Sequence, residues 1–488
     1  MKIKELIRDI QLINYSGLDD LEITGLAYSS KQVERGNAFA ALKGLKADGL
    51  DFVPEALEKG AVAVVSEQPR IAGTDISWIQ VSDAREALAL MSAVFYGHPS
   101  RKLKTVGITG TKGKTTVTYI LEEILKASGF TPGVIGTVDY RWKDKSISAG
   151  RTTPEAPDIQ KILMGMVEEG VSHCLIEVSS HSLEFKRVLG IGFDLAIFTN
   201  LSGEHLDYHQ TMENYFEAKK KLFFLNHKRV ASIVNIDDHW GKRLISELPM
   251  RTISFGFSPE AIIRVENFSI EENGMKATVS YPGGKLNLTS CLVGKHNLYN
   301  ILASISAALV LAVSPQNIIQ GINSLKYVPG RFELLPNNLG LKVIVDYAHT
   351  DNALENLLEA VKSLKPKRTV LVFGCGGDRD RTKRPRMGEV AARLADWTII
   401  TSDNPRSEEP EKIISEIEQG FLKAGNRNYE KIIDRKKAIE KALIMAAKGD
   451  YVLIAGKGHE NYQIFKDRMI PFSDVETARE ILNRLERK

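Results

Sequence analysis

At 488 residues the chain exceeds what one hydrophobic core usually serves, which predicts two to three domains. With 43% hydrophobic and 26% charged residues it has the composition of an ordinary globular protein, and a net charge of +4 is too small to argue for a nucleic-acid partner. Three cysteines, Cys174, Cys291 and Cys375, are too few and too scattered for a disulfide framework or a zinc site. Each lies in or beside an apolar stretch, so all are expected as buried thiols in a reducing cytosol. The N-terminal run MKIKELIRDI lacks the apolar core of a signal peptide, and no run of eighteen apolar residues follows, so a cytoplasmic location without membrane insertion is expected.

The first hundred residues mix short strands with helical pieces and end in the turn-rich Tyr96-Gly97-His98-Pro99-Ser100, predicting a small α/β domain over 1–100. Next, Lys104 to Ile108 reads as an apolar strand and Thr115 to Ala127 as a helix. Between them lies Thr109-Gly110-Thr111-Lys112-Gly113-Lys114-Thr115-Thr116, a glycine turn ending in Gly-Lys-Thr. In that setting the N–H groups at the helix start face an anion, Lys114 reaches outer phosphates and the Thr115 hydroxyl holds magnesium, so ATP is the expected cosubstrate. The loop is a variant, since Ile108 stands where the strict pattern has its first glycine.

From 101 to 330, strands at Cys174 to Val178, Phe193 to Thr199 and Ala231 to Ile236 alternate with helices at Met212 to Phe224 and Asn297 to Val313. This is the pattern of a mostly parallel sheet of P-loop type flanked by helices. Within it, Ala261 to Leu292 reads as inserted antiparallel strands. Over 331–488 a second alternation, with strands at Val343 to Asp346, Thr369 to Phe373, Trp397 to Thr401 and Tyr451 to Ala455, predicts a doubly wound, Rossmann-like domain. Its strands run into polar loops (DYAH, GCGGDRD, SDNPR, GKGHE), and ligands of open α/β sheets bind at such carboxyl ends, so function is expected between the second and third domains. The expected class is thus α/β in three domains.

Several polar residues stand where chemistry would be done. Glu177 closes an apolar strand where a carboxylate beside a phosphate loop reaches magnesium, and Ser179, Ser180 and His181 follow it. His205, after another apolar strand, is balanced between a structural and a ligand role. By composition alone the run Lys219-Lys220-Lys221 is a solvated helix face; the sharper reading is a lysine whose pKa is lowered by burial and like charge, and which becomes a magnesium-binding carbamate. His296-Asn297 with Asn300 is a helix cap or a base contact, and Arg331 with Asp346 is a clamp for ribose and phosphate.

In order, GTKGKTT, EVSSH, NLSGEHLDYH, EAKKKLF, GKHN, PGRFE, DYAH, DNPR and GKGHE resemble the Mur ligases of bacterial cell-wall synthesis over about residues 20–480. The resemblance implies an ATP-dependent ligase that phosphorylates the D-glutamyl carboxylate of a UDP-N-acetylmuramoyl dipeptide and lets an amino acid attack the acyl phosphate. It assigns Gly110, Thr111, Lys112, Gly113, Lys114, Thr115, Thr116, Asn297, Arg331 and Asp346 to ATP. Thr115, Glu177, His205 and Lys219, the last as a carbamate, go to the metal; Lys114, Glu177, His205 and Lys219 are the catalytic set. Ser30, Thr152, Thr153, Ser179 and Arg187 match contacts to the sugar peptide. Phe185, in place of a common glutamine, and Ser29-Ser30-Lys31, in place of Asp-Ser-Arg, depart from the pattern.

Asp403-Asn404-Pro405-Arg406 implies meso-diaminopimelate as the amino acid, with Arg384 and Arg406 supplying guanidiniums for carboxylates and Gly456 and Glu460 facing the distal ammonium. A monomer is expected. The rivals are a ligase for lysine or another diamine, a folylpolyglutamate-type ligase, and a P-loop ATPase switch that makes no covalent product. A dinucleotide oxidoreductase would need a GxGxxG turn in context, which the sequence lacks.

Overall fold

A computed structural model describes residues 1–44, 47–225, 231–248, 252–271 and 274–487. They form two compact units, Met1–Ile262 with Ala303–Asn317, and Ile263–Leu302 with Ile318–Lys488. The architecture is three-domain α/β, and the first unit holds the five-stranded N-terminal sheet and eight strands of a larger one.

The N-terminal sheet has five strands in the order Leu12–Ser16, Ser77–Val81, Ala63–Ser66, Asn37–Ala40, Gly25–Ala27, parallel apart from the first pair. Its middle strands are buried along their whole length because apolar clusters cover both faces, Ile3, Leu6, Leu88 and Met91 in one and Phe39, Val53 and Trp78 in the other. The helix Ala84–Phe95 begins at Asp83, whose carboxylate accepts from the Arg85 and Glu86 N–H groups.

The eight strands of the larger sheet that lie in that unit run Thr252–Gly256, Ala231–Asn235, Leu195–Phe198, Lys104–Thr109, His173–Glu177, Pro132–Ile135, Asp139–Trp142, Lys145–Ser148. The first six are parallel and the last two antiparallel. Lys104–Thr109 lies between Leu195–Phe198 and His173–Glu177, so the three loops leaving these carboxyl ends converge. Leu195–Phe198 and His173–Glu177 are buried throughout, as expected of parallel strands covered on both faces. The expected helix Met212 to Phe224 is α-helical over Met212–Lys220 and tightens into a 3₁₀ turn at Lys221–Phe223.

In the second unit, Ile263–Glu271, Gly274–Tyr281 and Gly284–Ser290 pair antiparallel, as the alternation predicts. Cys291 is exposed, against expectation, while Cys174 and Cys375 are buried. Leu286, Leu288 and Ser290 take the inward positions of the last strand, and the period of two turns position 291 outward. A six-stranded sheet runs Glu333–Leu335, Lys342–Asp346, Tyr451–Ala455, Thr369–Phe373, Trp397–Ile400, Tyr429–Lys431, parallel except for its first edge strand. Separate cores cover it, Leu354, Leu371 and Ile417 in one and Val343, Ile439 and Ile481 in the other, which is the doubly wound arrangement. Among the described residues no helix is long and apolar enough to cross a membrane.

Candidate active site

The phosphate loop is held open by two glycines with positive φ. Gly110 has φ +144°, and a Cβ there would lie 1.9 Å from Thr199 Oγ1. Gly113, at φ +90°, precedes the helix Lys114–Ala127, whose first turn has no side-chain cap, leaving its N–H groups for an anion. The loop is tied to the segment after Leu195–Phe198: Thr111 N donates to Asn200 O (2.9 Å), Lys112 N to Asn200 Oδ1 (3.0 Å), and Thr199 Oγ1 to Lys112 O (2.6 Å). Lys112 Nζ pairs with Glu204 at 3.1 Å. Lys114 Nζ donates to Gly110 O at 2.8 Å and Lys219 Nζ to the same oxygen at 2.9 Å. Thr115 and Thr116 are both buried.

Glu177, 1% exposed at the end of its strand, gathers the neighbouring loops. Its Oε2 accepts from Thr115 Oγ1 (3.0 Å) and Thr137 Oγ1 (2.8 Å), and its Oε1 from Thr137 N (3.0 Å). Thr137 Oγ1 also meets Thr152 Oγ1 at 3.1 Å. Thr153 Oγ1 donates to Glu177 O (2.7 Å) and accepts from Ser179 N (3.1 Å), while Arg187 Nη1 donates to Thr153 O (3.2 Å). Phosphate-loop residue and sugar-peptide candidates therefore meet around one carboxylate. Ser30 is the exception: its hydroxyl donates to Glu55 at 2.7 Å within the N-terminal domain.

Lys219 is 1% exposed, so the solvated-face reading of the lysine run fails for this residue and holds only for Lys221. Burial first, and then the Lys114 charge, lower its pKa well below the usual lysine value, which favours the neutral, nucleophilic amine. Its Nζ lies 4.5 Å from the Tyr215 ring centroid, and the Tyr215 hydroxyl accepts from Thr111 Oγ1 at 3.3 Å. His205, at φ +58°, starts the turn Leu206–His209, with its ring 5.0 Å from that of His181. Burial lowers its pKa to about 4, with His181, Lys219 and Lys114 adding to the effect, so its imidazole is neutral at pH 7 and has a lone pair to give. Among the described residues no three His, Cys, Asp or Glu side chains form a metal cluster. The hydroxyl and carboxylate of Thr115 and Glu177 suit magnesium, which takes one or two carboxylates and completes its shell with water and phosphate oxygens.

In the second unit, Asn297 lies inside the helix Lys295–Val310; its Nδ2 donates to Val293 O (2.8 Å) and its Oδ1 accepts from Asn300 Nδ2 (3.0 Å), and neither of these bonds is a cap of a backbone N–H. Asp346 accepts from Phe332 N and Ala348 N, both at 2.7 Å, and the Arg331 guanidinium lies 4.4 Å from the Tyr347 ring centroid. Asp403, Asn404 and Glu460 converge on the fully buried Lys457, whose Nζ reaches them at 3.4, 3.2 and 3.2 Å. Asn404 Nδ2 donates to Glu460 at 2.8 Å, and a Cβ at Gly456 would stand 3.8 Å from Asp403 Oδ2. Pro405 is buried, and Arg406, at φ +53°, donates to Gly377 O at 2.8 Å.

Arg384 differs from its expected role. It is 0% exposed and its guanidinium holds Glu408 (2.8 and 2.9 Å), Glu416 (2.7 Å) and Gly376 O (3.2 Å), so its fork faces the protein's own carboxylates. Beside Arg406 stands the exposed Arg379: a Cβ at Gly376 would lie 2.8 Å from Arg406 Nη1 and 3.8 Å from Arg379 Cγ. Among the described residues Arg379 has no carboxylate partner, its contact being Asp378 O at 3.5 Å. Sequence reasoning also missed Thr137, Asn200, Glu204 and Lys457. Thr137 and Asn200 stand two residues past apolar strands, a signal available in the pattern; Glu204 lies farther along its loop, and the burial of Lys457 comes only from packing.

Three family models match the chain: Mur ligase family, catalytic domain (22–96); Mur ligase middle domain (108–308); and Mur ligase, glutamate ligase domain (330–458). The UDP-N-acetylmuramoyl-L-alanyl-D-glutamate–2,6-diaminopimelate ligase 1 of Clostridium acetobutylicum is 43% identical over 487 residues, 99% of this chain and 100% of that protein. The like-named ligase of Geobacter sulfurreducens is 44% identical over 98% of each chain. A solved structure of UDP-N-acetylmuramoyl-L-alanyl-D-glutamate–2,6-diaminopimelate ligase superposes with a TM-score of 0.71 at 30% identity, covering 100% of this chain and 99% of that one. Matched by all three of these models and by relatives of 43–44% identity along nearly its whole length, the chain belongs to the Mur ligase family.

Proposed function

We propose that this chain is an ATP-dependent amide ligase joining meso-2,6-diaminopimelate to the D-glutamyl carboxylate of UDP-N-acetylmuramoyl-L-alanyl-D-glutamate, a step of peptidoglycan synthesis. The observation that carries the reading is Glu177, which draws Thr115 of the phosphate loop and the Thr137, Thr152 and Thr153 group to one point, where a γ-phosphate and an acceptor carboxylate can meet. Residues 1–100 and the Thr152, Thr153, Ser179 and Arg187 group serve the sugar peptide, 101–330 the nucleotide, and 331–488 the amino acid.

The carboxylate oxygen attacks the γ-phosphorus of ATP and ADP leaves, giving an acyl phosphate. The amine then adds to the acyl carbon, and phosphate departs where oxide could not. The loop N–H groups and Lys114 bind the phosphates and offset charge as it moves from γ-phosphoryl to ADP. Thr115, Glu177, His205 and a carbamate on Lys219 would hold magnesium, which neutralises phosphate charge. The lowered pKa of Lys219 supports that modification, because only the free amine adds carbon dioxide. Asn297, Arg331 and Asp346 serve the adenosine and phosphate side. For the amino acid, Asp403, Asn404, Gly456 and Glu460 receive an ammonium, and Arg406 with Arg379 receives the carboxylate that lysine lacks. Arg384 supports this loop from beneath through Glu408 and Gly376.

The test is incubation with ATP, the UDP-muramoyl dipeptide and either diaminopimelate or lysine, reading phosphate release and product mass. A coupled diaminopimelate product is expected. No coupled peptide refutes the ligase reading, and equal coupling of lysine refutes the amino-acid assignment.

A further inference from the structure

Arg85 opens the helix Ala84–Phe95, and its guanidinium carbon lies 4.5 Å from the centroid of the Phe185 ring. That of Arg187 lies 5.3 Å from the same centroid. The segments are latched by Lys186, which sits at φ +54° and pairs with Asp83 at 2.8 Å and Glu86 at 2.6 Å. Lys186 thereby satisfies the acids of the helix's first turn. Arg85 is left with no carboxylate among the described residues; its hydrogen bond goes to Lys43 O at 3.0 Å.

Arg187, 11% exposed, pairs with Glu155 at 2.9 Å, and Arg151 pairs with the same carboxylate. Its Nε is buried with no hydrogen-bond partner. Arg187 and Arg151 thus share one carboxylate, and Arg85 has none. Burial chiefly lowers the pKa of Arg187; the Glu155 carboxylate opposes that shift, and the neighbouring charges of Arg151 and Arg85 add to it. A guanidinium stacked on a ring keeps its N–H edge available for a forked oxyanion and loses less freedom when one binds. The Phe185 side chain has no hydrogen-bonding group, so what it offers both arginines is a face.

We propose that Arg85 binds an oxyanion of the acceptor substrate, carboxylate or phosphate, and that Phe185 holds it in place, so that the N-terminal domain contributes a charged contact to the loop carrying Arg187. The inference rests on the acceptor proposed above. It is tested by calorimetric titration of the full chain, without ATP, with the UDP-muramoyl dipeptide, with the muramoyl dipeptide lacking the nucleotide, and with UDP alone. Arg85→Ala should weaken the complete acceptor about tenfold or more, Arg85→Lys less, and Phe185→Leu about threefold. The KM values for ATP and amino acid should stay at wild type, which a general folding defect would not allow. A loss that persists with the nucleotide-free dipeptide identifies a carboxylate, and a loss confined to UDP-containing ligands a phosphate. Wild-type affinity of Arg85→Ala for all three ligands overturns the proposal. Failure of the wild-type chain to bind the complete acceptor overturns the acceptor reading and this inference with it.

Discussion

Replacing Arg384 by methionine separates a supporting arginine from a ligand-binding one. Arg384 makes a two-point contact with Glu408 at 2.8 and 2.9 Å and a third with Glu416 at 2.7 Å, and it is completely buried. Removing one partner of a buried ion pair costs about 3–5 kcal/mol. Because the Glu408 and Glu416 side chains keep 18% and 24% exposure, water recovers part of that, and the loss should sit near the lower end, about 3 kcal/mol. Hydrogen exchange of the helix Lys383–Leu394 is the suitable assay, since a chain of several domains need not unfold in two states. Its slowest amides should exchange about a hundredfold faster, the rate equivalent of that loss. Acid adds an independent reading. The Arg384 hydrogen bond, with the Asp378 N–H, lowers Glu408 to about 2. A depressed carboxyl stabilises the fold above its unfolded value, about 4.3, and the contribution fades as pH falls through about 2. Arg384→Met should lose that acid-dependent component. Arg379→Ala should leave exchange unchanged and raise the diaminopimelate KM. Wild-type exchange in Arg384→Met together with a raised diaminopimelate KM would refute the reasoning and return Arg384 to the ligand.

Lys219→Ala should lower turnover by about a hundredfold or more, with partial rescue by short carboxylic acids, checked by phosphate release; full activity would remove Lys219 from the site. Arg406→Ala should raise the diaminopimelate KM about ten- to a hundredfold and leave that for lysine nearly unchanged, since a charge-assisted hydrogen bond is worth about 1.5–3 kcal/mol. An unchanged diaminopimelate KM would show the specificity argument wrong. Gly110→Ala sets a Cβ 1.9 Å from Thr199 Oγ1 and 3.1 Å from the Asn200 backbone, so nucleotide binding measured by titration should weaken more than tenfold. Wild-type ATP affinity in that variant would mean the loop does not need its glycine.

The strands and the phosphate loop were legible because both announce themselves locally, apolar runs ending in glycine and threonine. Glu177 was legible for the same reason, sitting where a buried strand meets its loop. Lys219 was legible only through the resemblance: composition does not tell it from its two neighbouring lysines, and what sets it apart physically is the face that the helix Met212–Lys220 turns inward. The exchange of Arg384 for Arg379 has a similar cause. The stretch 379–386 holds four arginines, and which of them is consumed by internal carboxylates depends on Glu408 and Glu416, residues far along the chain. Cys291 fell to the parity of an edge strand that an apolar neighbourhood conceals.

The carbonyl oxygen of Gly110 accepts from two lysine nitrogens, one from the start of the loop's own helix and one from a residue 109 positions away in sequence. A single peptide plane therefore sets the bearing of both side chains, and tilting it would disturb in one stroke the two roles proposed for them, at phosphate and at metal. A compound that donated a hydrogen bond to this oxygen would compete with the two lysines together, and escape by substitution at either position alone would leave the other still displaced.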